Sequence, residues 1–381
     1  MSVVVATDVC ILEYEGKYYF QNAFGTILSR YFASFGKISL VCRIQQINHL
    51  NSNLICVTNL IDDSLFLNTF KDILKKDTLV RLTKLLSNTS LCIVRQPSVI
   101  GCVVFELAHK SGNFILAENM CDAFESYWTH SLFGKIVAPW MYFWTKRIFH
   151  NTDYALYVTN FFLQKRYPCV CPSISASNVD IVNLDSSIIS RRLSKIKSMN
   201  PRQIKVMTIA NVDNRSKGQV YFIRAIPLLE KLGFNIRYFL VGGGDQQYLK
   251  DVAEKLGVSN NVEFLGKLSH NEVMLALDEI DIYVHPSLQE GLPRAVIEAM
   301  SRGCPCIGAN TAGIPELIDR TCIFKKHSSR DIVRVFNEIV SSDQLFILAE
   351  KNFKNAENYL SESLDKKRQR FFSMIYEEIN K

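Results

Sequence analysis

His285 to Glu316 reads HPSLQEGLPRAVIEAMSRGCPCIGANTAGIPE. A short apolar run, Ile280 to His285, leads into this stretch and stops at the next proline, and a helical pattern runs from Pro293 to Met300. Proline suits the first helical position because its missing N–H needs no partner there, and Gly303 marks the helix end. The stretch therefore predicts a strand that is joined to a helix by a tight loop.

The start of this helix is a candidate anion site. A helix that begins at Leu292 or Pro293 presents unpaired N–H groups and a partial positive charge above the strand ends, where a phosphate binds well. Glu290 in the loop and Glu298 in the helix flank this position. Carboxylates repel a phosphate, so we expect the two glutamates to accept hydrogen bonds from hydroxyl groups on either side of it. A ligand with a sugar, a diphosphate and a second sugar in a row fits this arrangement. Taken alone, either glutamate is better explained as a helix cap or a solvated helix residue.

The string Glu290-Gly-Leu-Pro-Arg-Ala-Val-Ile-Glu298 resembles the E-x7-E signature of retaining glycosyltransferases with the GT-B fold, in the glycosyltransferase group 1 or GT4-like family. The HPS, EAM, GCP and GIPE segments around it fit the same family. The resemblance implies an α/β protein with two Rossmann-like doubly wound domains that face each other across a cleft. It implies a nucleoside-diphosphate-sugar donor, with Glu290 catalytic and Glu298 on the ribose. The donor-binding set then also contains Gly291, Leu292, Pro293 and Arg294.

The bulk composition fits this class of protein. A length of 381 residues suits two domains, and 48% hydrophobic with 21% charged residues is ordinary for globular proteins. The net charge of +7 is spread over both halves, which argues against dedicated nucleic-acid binding and permits contact with anionic lipid or phosphorylated ligands. Eleven cysteines without a C-x-x-C pair read as reduced residues, and no apolar run reaches the ~20 residues of a membrane span. We therefore expect a cytoplasmic protein, soluble or peripheral at the inner face of the membrane.

Strands alternate with helices along the chain, which predicts mostly parallel sheets. Residues 1–184 are predicted to form the acceptor-binding domain and residues 204–363, with six strands, the donor-binding domain. The segment 185–203 is rich in serine, arginine and lysine and is predicted to be a partly helical linker. The family resemblance implies that the final helix, 364–381, packs back on the first domain.

A second loop is predicted to carry cations to the same sheet edge as Glu290. The first strand of the second domain ends at Ala210, and similar enzymes place an Arg six positions before a Lys-Gly pair that holds the diphosphate. Lys217 and Gly218 match that pair, but the Arg position holds Asn211. We predict Lys217 as the electrophilic residue, with Arg215 as a candidate replacement for the missing arginine. Arg294 is another candidate, although a solvated surface role explains it better.

The next strand ends in a run of glycines, Gly242 to Gly244. It lacks the G-x-G-x-x-G spacing of a dinucleotide site, which argues against NAD. The resemblance places Gly244 near the donor and the turn at Leu268 beside the nucleotide base. A plain strand-to-helix turn explains the glycines equally well.

The acceptor side is predicted in the stretch Phe114 to Arg147, which holds all three tryptophans. Many relatives have a catalytic His after the corresponding strand, but this chain has none at that place. Glu118 or Asp122 is a candidate to orient an acceptor hydroxyl, and a helix N-cap role for Asp122 is equally well supported. We interpret His130 as structural.

An aromatic cluster lies within the segment 128–147. Trp140, Tyr142, Phe143 and Trp144 stand next to Lys146 and Arg147, a combination that suits a lipid interface and a lipid-linked acceptor. Dense aromatic clusters are more often helix core, and burial is the favoured interpretation. Peripheral membrane contact stays a hypothesis at this level.

These residues favour a glycosyltransferase that moves a sugar from a nucleoside diphosphate to a glycan or lipid-linked glycan in surface polysaccharide (capsule, O-antigen or exopolysaccharide) biosynthesis. The arrangement of Lys217 and the helix start requires no metal and no cofactor, and the resemblance implies retention of configuration. A non-catalytic sugar-nucleotide-binding scaffold, suggested by Asn211 and the missing His, is one alternative. A GT-B sugar-nucleotide epimerase is another. The residues leave the base, the sugar, the linkage and the oligomeric state open.

Overall fold

The computed structural model describes residues 1–51, 53–129, 131–341 and 344–381. The chain folds into two compact units. The first comprises Met1–Asn178 together with Asp365–Lys381, and the second comprises Val179–Leu364. In the part of the chain described, each unit is built on one sheet.

The first unit alternates strands and helices, as the sequence predicts. Its strands are β1 (Val3–Tyr14), β2 (Lys17–Gln21), β3 (Ile38–Gln46), β4 (Leu54–Cys56), β5 (Leu65–Leu67), β6 (Leu91–Gln96), β7 (Phe114–Asn119), β8 (Tyr154–Tyr157) and β9 (Ser173–Ser175). Its helices before the second unit are α1 (Asn22–Phe35), α2 (Lys76–Ser87), α3 (Val99–Ser111), α4 (Ala123–Trp128), α5 (Leu132–His150) and α6 (Phe162–Arg166).

The sheet of the first unit is parallel apart from one edge. β1 lies between β3 and β6, and β7, β8 and β9 follow β6 in parallel register. The antiparallel pairs are β1 with β2, joined by a turn at Glu15-Gly16, and β2 with β4. Gly16 adopts a left-handed φ of 72°, which glycine accepts without steric cost.

The second unit has six strands among its described residues, all parallel. They are β10 (Gln203–Ile209), β11 (Asn235–Val241), β12 (Val262–Gly266), β13 (Ile282–His285), β14 (Cys306–Ala309) and β15 (Ile323–Phe324). The helices are α7 (Ser186–Ser198), α8 (Gln219–Ile223), α9 (Ile226–Lys231), α10 (Gln247–Lys255), α11 (His270–Glu279), α12 (Arg294–Ser301), α13 (Ile314–Leu317), α14 (Ser329–Ser341) and α15 (Leu345–Ala356).

The strand order of this sheet is β12-β11-β10-β13-β14-β15. Counted along the unit, that is 3-2-1-4-5-6, the order of a doubly wound nucleotide-binding fold. The order reverses between β10 and β13, which pair in parallel through Val206 with Ile282 and Met207 with Tyr283. Ligands of such sheets bind at this reversal, outside the carboxyl ends of the strands.

The segment 185–203, for which the sequence predicts a partly helical linker, is mostly the helix α7. Asp185 caps α7 by accepting a hydrogen bond from the Ser187 backbone, and the helix belongs to the second unit. Arg192 attaches α7 to the second unit, because its buried guanidinium donates hydrogen bonds to the backbone carbonyls of Leu277 and Ile280. The chain passes from the first unit to the second between Asn178 and Val179, before this segment begins.

The last helix, α16 (Ser361–Ile379), begins in the second unit and continues in the first from Asp365 onward. Phe371, Phe372 and Ile375 lie in the apolar core of the first unit, and Phe372 contacts the ring of Phe35 with centroids 5.3 Å apart. Across the described residues, we find no helix that is both long enough and apolar enough to cross a membrane.

Candidate functional site

Two loops meet where the strand order of the second sheet reverses. The loop after β10 spans residues 210–218, and the loop after β13 spans residues 286–293. The Leu288 backbone N–H donates to the Ser216 carbonyl at 2.7 Å and ties the two loops together. The strand-loop-helix arrangement predicted from His285 onward is confirmed.

Gly218 sits where the two loops touch. Its φ is 68°, and a Cβ atom at this position would lie 2.1 Å from the carbonyl oxygen of Pro286. No side chain fits at that distance, so the loops approach each other this closely because the residue is glycine. Gly218 thereby fixes the position of its neighbour Lys217 over the second loop.

Lys217 and Glu290 form an ion pair across the two loops. Lys217 Nζ lies 2.7 Å from Glu290 Oε1, and the lysine side chain is a quarter exposed. The sequence predicts that both residues contact the donor, each through a different group of the ligand. In the structure they bind each other, so a diphosphate that contacts Lys217 competes with Glu290 for the ammonium.

Glu290 is also held by a buried chain of hydrogen bonds from β13. His285 Nε2 lies 3.0 Å from the same Glu290 oxygen, and the Tyr283 hydroxyl lies 3.1 Å from His285 Nδ1. The Tyr283 oxygen accepts from the Ile209 backbone N–H, so its proton is free to point at Nδ1. In this arrangement the Nε2–H of His285 donates to Glu290.

The electrostatics of the site keep Glu290 ionised. Burial by itself would raise the pKa of Glu290, but the hydrogen bond from His285 and the charge of Lys217 outweigh it and lower that pKa to about 2. A carboxylate held in this way accepts hydrogen bonds at any physiological pH. It is thus suited to hold both the lysine and a ligand hydroxyl.

The helix next to this pair is α12, which starts one residue later than the sequence predicts. Pro293 has an extended backbone (φ −71°, ψ 115°) and acts as the N-cap, so the first helical residue is Arg294. Leu292 is buried, and the carbonyl of Gly291 accepts from the Gly313 backbone at 2.9 Å. These contacts connect the helix start to its surroundings, while the Arg294 side chain is exposed.

Glu298 occupies the second turn of α12. Its side chain is half-buried, and burial raises its pKa above the ordinary value of 4.5, against the lowering charges of Arg294 and His270. Within the described residues, the Glu298 carboxylate has no hydrogen-bond donor, whereas its backbone carbonyl accepts from Ser301. An under-satisfied carboxylate of this kind gains from a ligand hydroxyl.

The remaining predicted donor residues surround the pair less closely. Asn211 is exposed, and its carbonyl accepts from the Gln219 side chain at 3.0 Å. The Arg215 guanidinium lies over the ring of Tyr248, 4.3 Å from its centroid. The contacts described for Arg215 do not include Glu290. Its role as a replacement for the family arginine, whose place Asn211 holds, stays a prediction.

Gly244 and Leu268 follow the ends of β11 and β12. Gly244 has a φ of 113°, a backbone conformation that favours glycine, and a Cβ there would lie 2.4 Å from the Asp213 carboxyl carbon. Leu268 is half-buried in the turn before α11, whose N-cap is Ser269. Both residues lie at the carboxyl edge of the sheet. Their contact with the donor and with the nucleotide base stays a prediction.

The two predicted acceptor residues of the first unit are engaged in internal contacts. Glu118 is buried and pairs with Arg95 at 2.8 Å, while Arg95 also donates to the Tyr31 hydroxyl. Asp122 caps α4 and accepts from the Tyr167 hydroxyl at 2.8 Å. The structure thus gives Asp122 the N-cap role that the sequence leaves as an alternative. His130 lies outside the described residues.

Sequence reasoning missed His285 and Tyr283 as members of the site. A signal was present, since the two residues stand two positions apart on one strand and so face the same side of the sheet. His285 also ends the strand, next to the loop that carries Glu290. Within the described ranges, His, Cys, Asp and Glu side chains do not form a group of three or more that could hold a metal ion.

Residues 190–359 match the family model for glycosyl transferases group 1. The chain is 26% identical over 355 residues to Protein CapJ of Staphylococcus aureus, which covers 90% of this chain and 88% of that protein. It is 27% identical over 180 residues to the amylovoran biosynthesis glycosyltransferase AmsK of Erwinia amylovora, covering 45% and 43% of the two chains. A crystal structure of HepE from Anabaena in complex with UDP superposes with a TM-score of 0.65 at 14% identity, over 98% of this chain and all of the other.

The fold is GT-B. This confirms the fold predicted from the E-x7-E string and its surroundings. The family match lies within the second unit, where Lys217, Glu290 and Glu298 lie, and supports an assignment to the group 1 glycosyltransferases.

Proposed function

We propose that this protein is a retaining glycosyltransferase that transfers a sugar from a nucleoside-diphosphate sugar to a glycan or lipid-linked glycan. The observation that carries the proposal is the Lys217–Glu290 ion pair at the strand-order reversal of the second sheet, next to the start of α12. The group 1 family match over residues 190–359 supports it. So do the solved structures of HepE in complex with UDP and with UDP-glucose, which share this fold.

The reaction follows from the charges at this edge. The donor diphosphate takes the Lys217 ammonium from Glu290 and lies at the N-terminus of α12, so that both stabilise the negative charge that grows on the leaving group. Because these groups supply the positive charge, we propose that the enzyme works without a metal. Glu290, relieved of the lysine but still held by His285, accepts a hydrogen bond from a hydroxyl of the transferred sugar, and Glu298 accepts one from the ribose.

In the transfer step, the bond between the anomeric carbon and the phosphate oxygen breaks as the acceptor oxygen bonds to the same carbon. Approach on the same face retains the anomeric configuration. The acceptor proton passes to an oxygen of the departing diphosphate, so that the products are the glycoside and the nucleoside diphosphate. Lys217 is the electrophilic residue in this scheme, and Glu290 is the group that orients the sugar.

The similarity to AmsK, an amylovoran biosynthesis glycosyltransferase, supports a place in bacterial surface polysaccharide biosynthesis. We place the reaction in the cytoplasm at the inner face of the membrane, because a nucleotide-sugar donor is a cytoplasmic compound and a lipid-linked acceptor is held there.

A nucleotide-sugar screen followed by a transfer assay tests the proposal. A panel of UDP-, GDP- and other nucleotide sugars is first scanned for thermal stabilisation, since a bound ligand raises the melting temperature by mass action. The selected donor is then supplied with glycan acceptors, and the anomeric configuration of the product is read by NMR. Removing one charge-stabilising donor costs about 100- to 1000-fold in kcat, which is the loss we expect for Lys217→Ala.

Lys255→Ala is the matched control, because Lys255 is an exposed lysine in the same unit. Donor binding without turnover in the wild type would favour a scaffold protein instead. Conversion of the donor sugar to its epimer without any acceptor would favour an epimerase. An inverted product would refute retention while leaving glycosyl transfer in place.

A further inference from the structure

The outward face of α5 is an exposed apolar stripe. Leu132 is 83% exposed, Phe133 73%, Ile136 75% and Phe143 66%, and Trp140 is also exposed at 45%. Their spacings of three, four and seven residues put them on one side of the helix, within an arc of roughly 100°. We call these five residues the α5 face. The burial of the aromatic cluster favoured by the sequence is thus wrong for Trp140 and Phe143.

The fold does not need this face for its own packing. α5 buries its opposite side, with Gly134, Ala138, Met141, Ile148 and Phe149 turned inward. A helix that serves only a globular core has one apolar stripe and a polar outer side. α5 has a second stripe, and five large apolar side chains close together on a surface indicate an interaction site.

Positive charge borders the α5 face. The helix contains no acidic residue in its 19 positions, while Lys135, Lys146, Arg147 and His150 lie along it. At its C-terminal end, Phe143, Lys146, Arg147 and His150 line a groove of about 360 Å³ together with Asn151 and Pro168. Arg147 pairs with Glu106 on α3, so the lysines carry most of the free charge.

We propose that the α5 face binds the surface of an anionic lipid bilayer, with α5 lying in the plane of the membrane. The apolar side chains enter the boundary between headgroups and acyl chains, and the basic residues and groove contact lipid phosphates. Basic residues beside an apolar stripe fit negatively charged headgroups. They disfavour a second copy of the same positively charged face, because like charges would meet at the dimer axis.

This inference extends the proposed function. Its consequence, that a membrane-bound enzyme uses a lipid-linked acceptor, rests on that proposed function. A first unit docked on the membrane meets acceptors that are carried by lipid. The docking surface itself follows from α5 alone and does not depend on Lys217 or Glu290.

Vesicle binding by the full-length protein tests the inference without any sugar nucleotide, so that its failure leaves the transfer proposal untouched. The protein is mixed with phosphatidylcholine vesicles that contain 30% or no phosphatidylglycerol and is then sedimented. Tryptophan fluorescence gives a second readout, since all three tryptophans lie at positions 128, 140 and 144 on α4 and α5. We expect binding to the anionic vesicles with a blue-shifted emission, weakened at high salt.

Two sets of variants locate the contact. Phe133→Ser/Ile136→Ser/Phe143→Ser is expected to lower the partition constant by about tenfold or more, because it removes three exposed apolar side chains from the interface. Leu74→Ser/Val80→Ser/Leu275→Ser is the matched control, since these side chains are also 61–67% exposed but lie elsewhere, and it is expected to bind as the wild type does.

Lys135→Glu/Lys146→Glu is expected to abolish the preference for anionic vesicles, whereas Lys37→Glu/Lys84→Glu, with the same charge change on other exposed lysines, keeps it. The inference is overturned if the wild type does not bind. It is overturned equally if the α5 triple variant binds like its control, or if that variant instead dissociates a dimer detected by sedimentation velocity.

Discussion

Glu290→Gln isolates the charge of Glu290 and has a calculable effect on stability. The pKa of this carboxyl falls from an ordinary value of 4.5 to about 2 in the folded protein, through His285 and Lys217 against the opposing effect of burial. A fall of that size corresponds to about 3 kcal/mol of folding free energy. Because Lys217 is a quarter exposed, solvent screens part of the interaction, and we expect the variant to lose about 1–3 kcal/mol at pH 7.

The pH dependence gives the sharper test. A lowered folded-state pKa means that the stabilisation is complete well above pH 4.5 and is lost as the pH falls toward 2. At pH 3.5 the Glu290 carboxyl is mostly protonated in the unfolded protein and still ionised in the folded protein. The free energy of unfolding of the wild type is therefore about 1.4 kcal/mol lower at pH 3.5 than at pH 7. Glutamine does not titrate, so the stability difference between wild type and variant should narrow by about 1 kcal/mol between pH 6 and pH 3.5.

Urea unfolding at pH 7, 5 and 3.5 measures this difference. Far-UV circular dichroism follows both units, and tryptophan fluorescence follows the first unit alone, because the second has no tryptophan. Glu263→Gln is the matched control: it breaks an exposed pair with Arg237 in the same unit and should cost less than about 0.5 kcal/mol. Parallel stability curves for wild type and Glu290→Gln from pH 7 to pH 3.5 would refute the electrostatic account of the site.

Two further substitutions test neighbouring features of the site. Glu298→Gln removes a carboxylate whose pKa burial raises, so it should increase the melting temperature of the free protein by about 1–3 °C at neutral pH in calorimetry. The same variant should weaken binding of the selected nucleotide by about tenfold in titration calorimetry, and unchanged affinity would contradict the ribose assignment. Gly218→Ala should lower the free energy of unfolding by more than about 2 kcal/mol and reduce transfer, because its Cβ meets the Pro286 carbonyl. Gly16→Ala has a similar φ with open space around it and should cost only about 1 kcal/mol, so equal losses would show that the loop contact does not matter.

The fold was accessible from the sequence because its signals are local. The helix after Glu290 is predicted from Pro293 and the helical pattern up to Met300, and the strands of the second unit are short apolar runs between helical ones. The E-x7-E string marks one loop of the site, and Lys217-Gly218 marks the other. Both motifs are contiguous, so they are visible without coordinates.

The details that escaped prediction depend on residues far apart in the chain. The pairing of Lys217 with Glu290 joins positions 73 apart, and no local pattern shows that the two bind each other. The Arg95–Glu118 pair removes Glu118 from the free acidic groups through a contact between neighbouring strands. The exposure of Trp140 and Phe143 depends on which side of α5 the sheet covers, and both sides of that helix are apolar in sequence.

The Lys217–Glu290 contact also bears on which anions the site admits. The Lys217 ammonium is already paired with the Glu290 carboxylate, so it should bind chloride or inorganic phosphate weakly. Such an anion would displace the carboxylate and leave Glu290 without its cation. A ligand that brings both a diphosphate for the lysine and a sugar hydroxyl for the glutamate replaces both halves of the contact at once. If the proposed function holds, the free protein discriminates against small phosphates because it requires two chemical groups at a fixed separation.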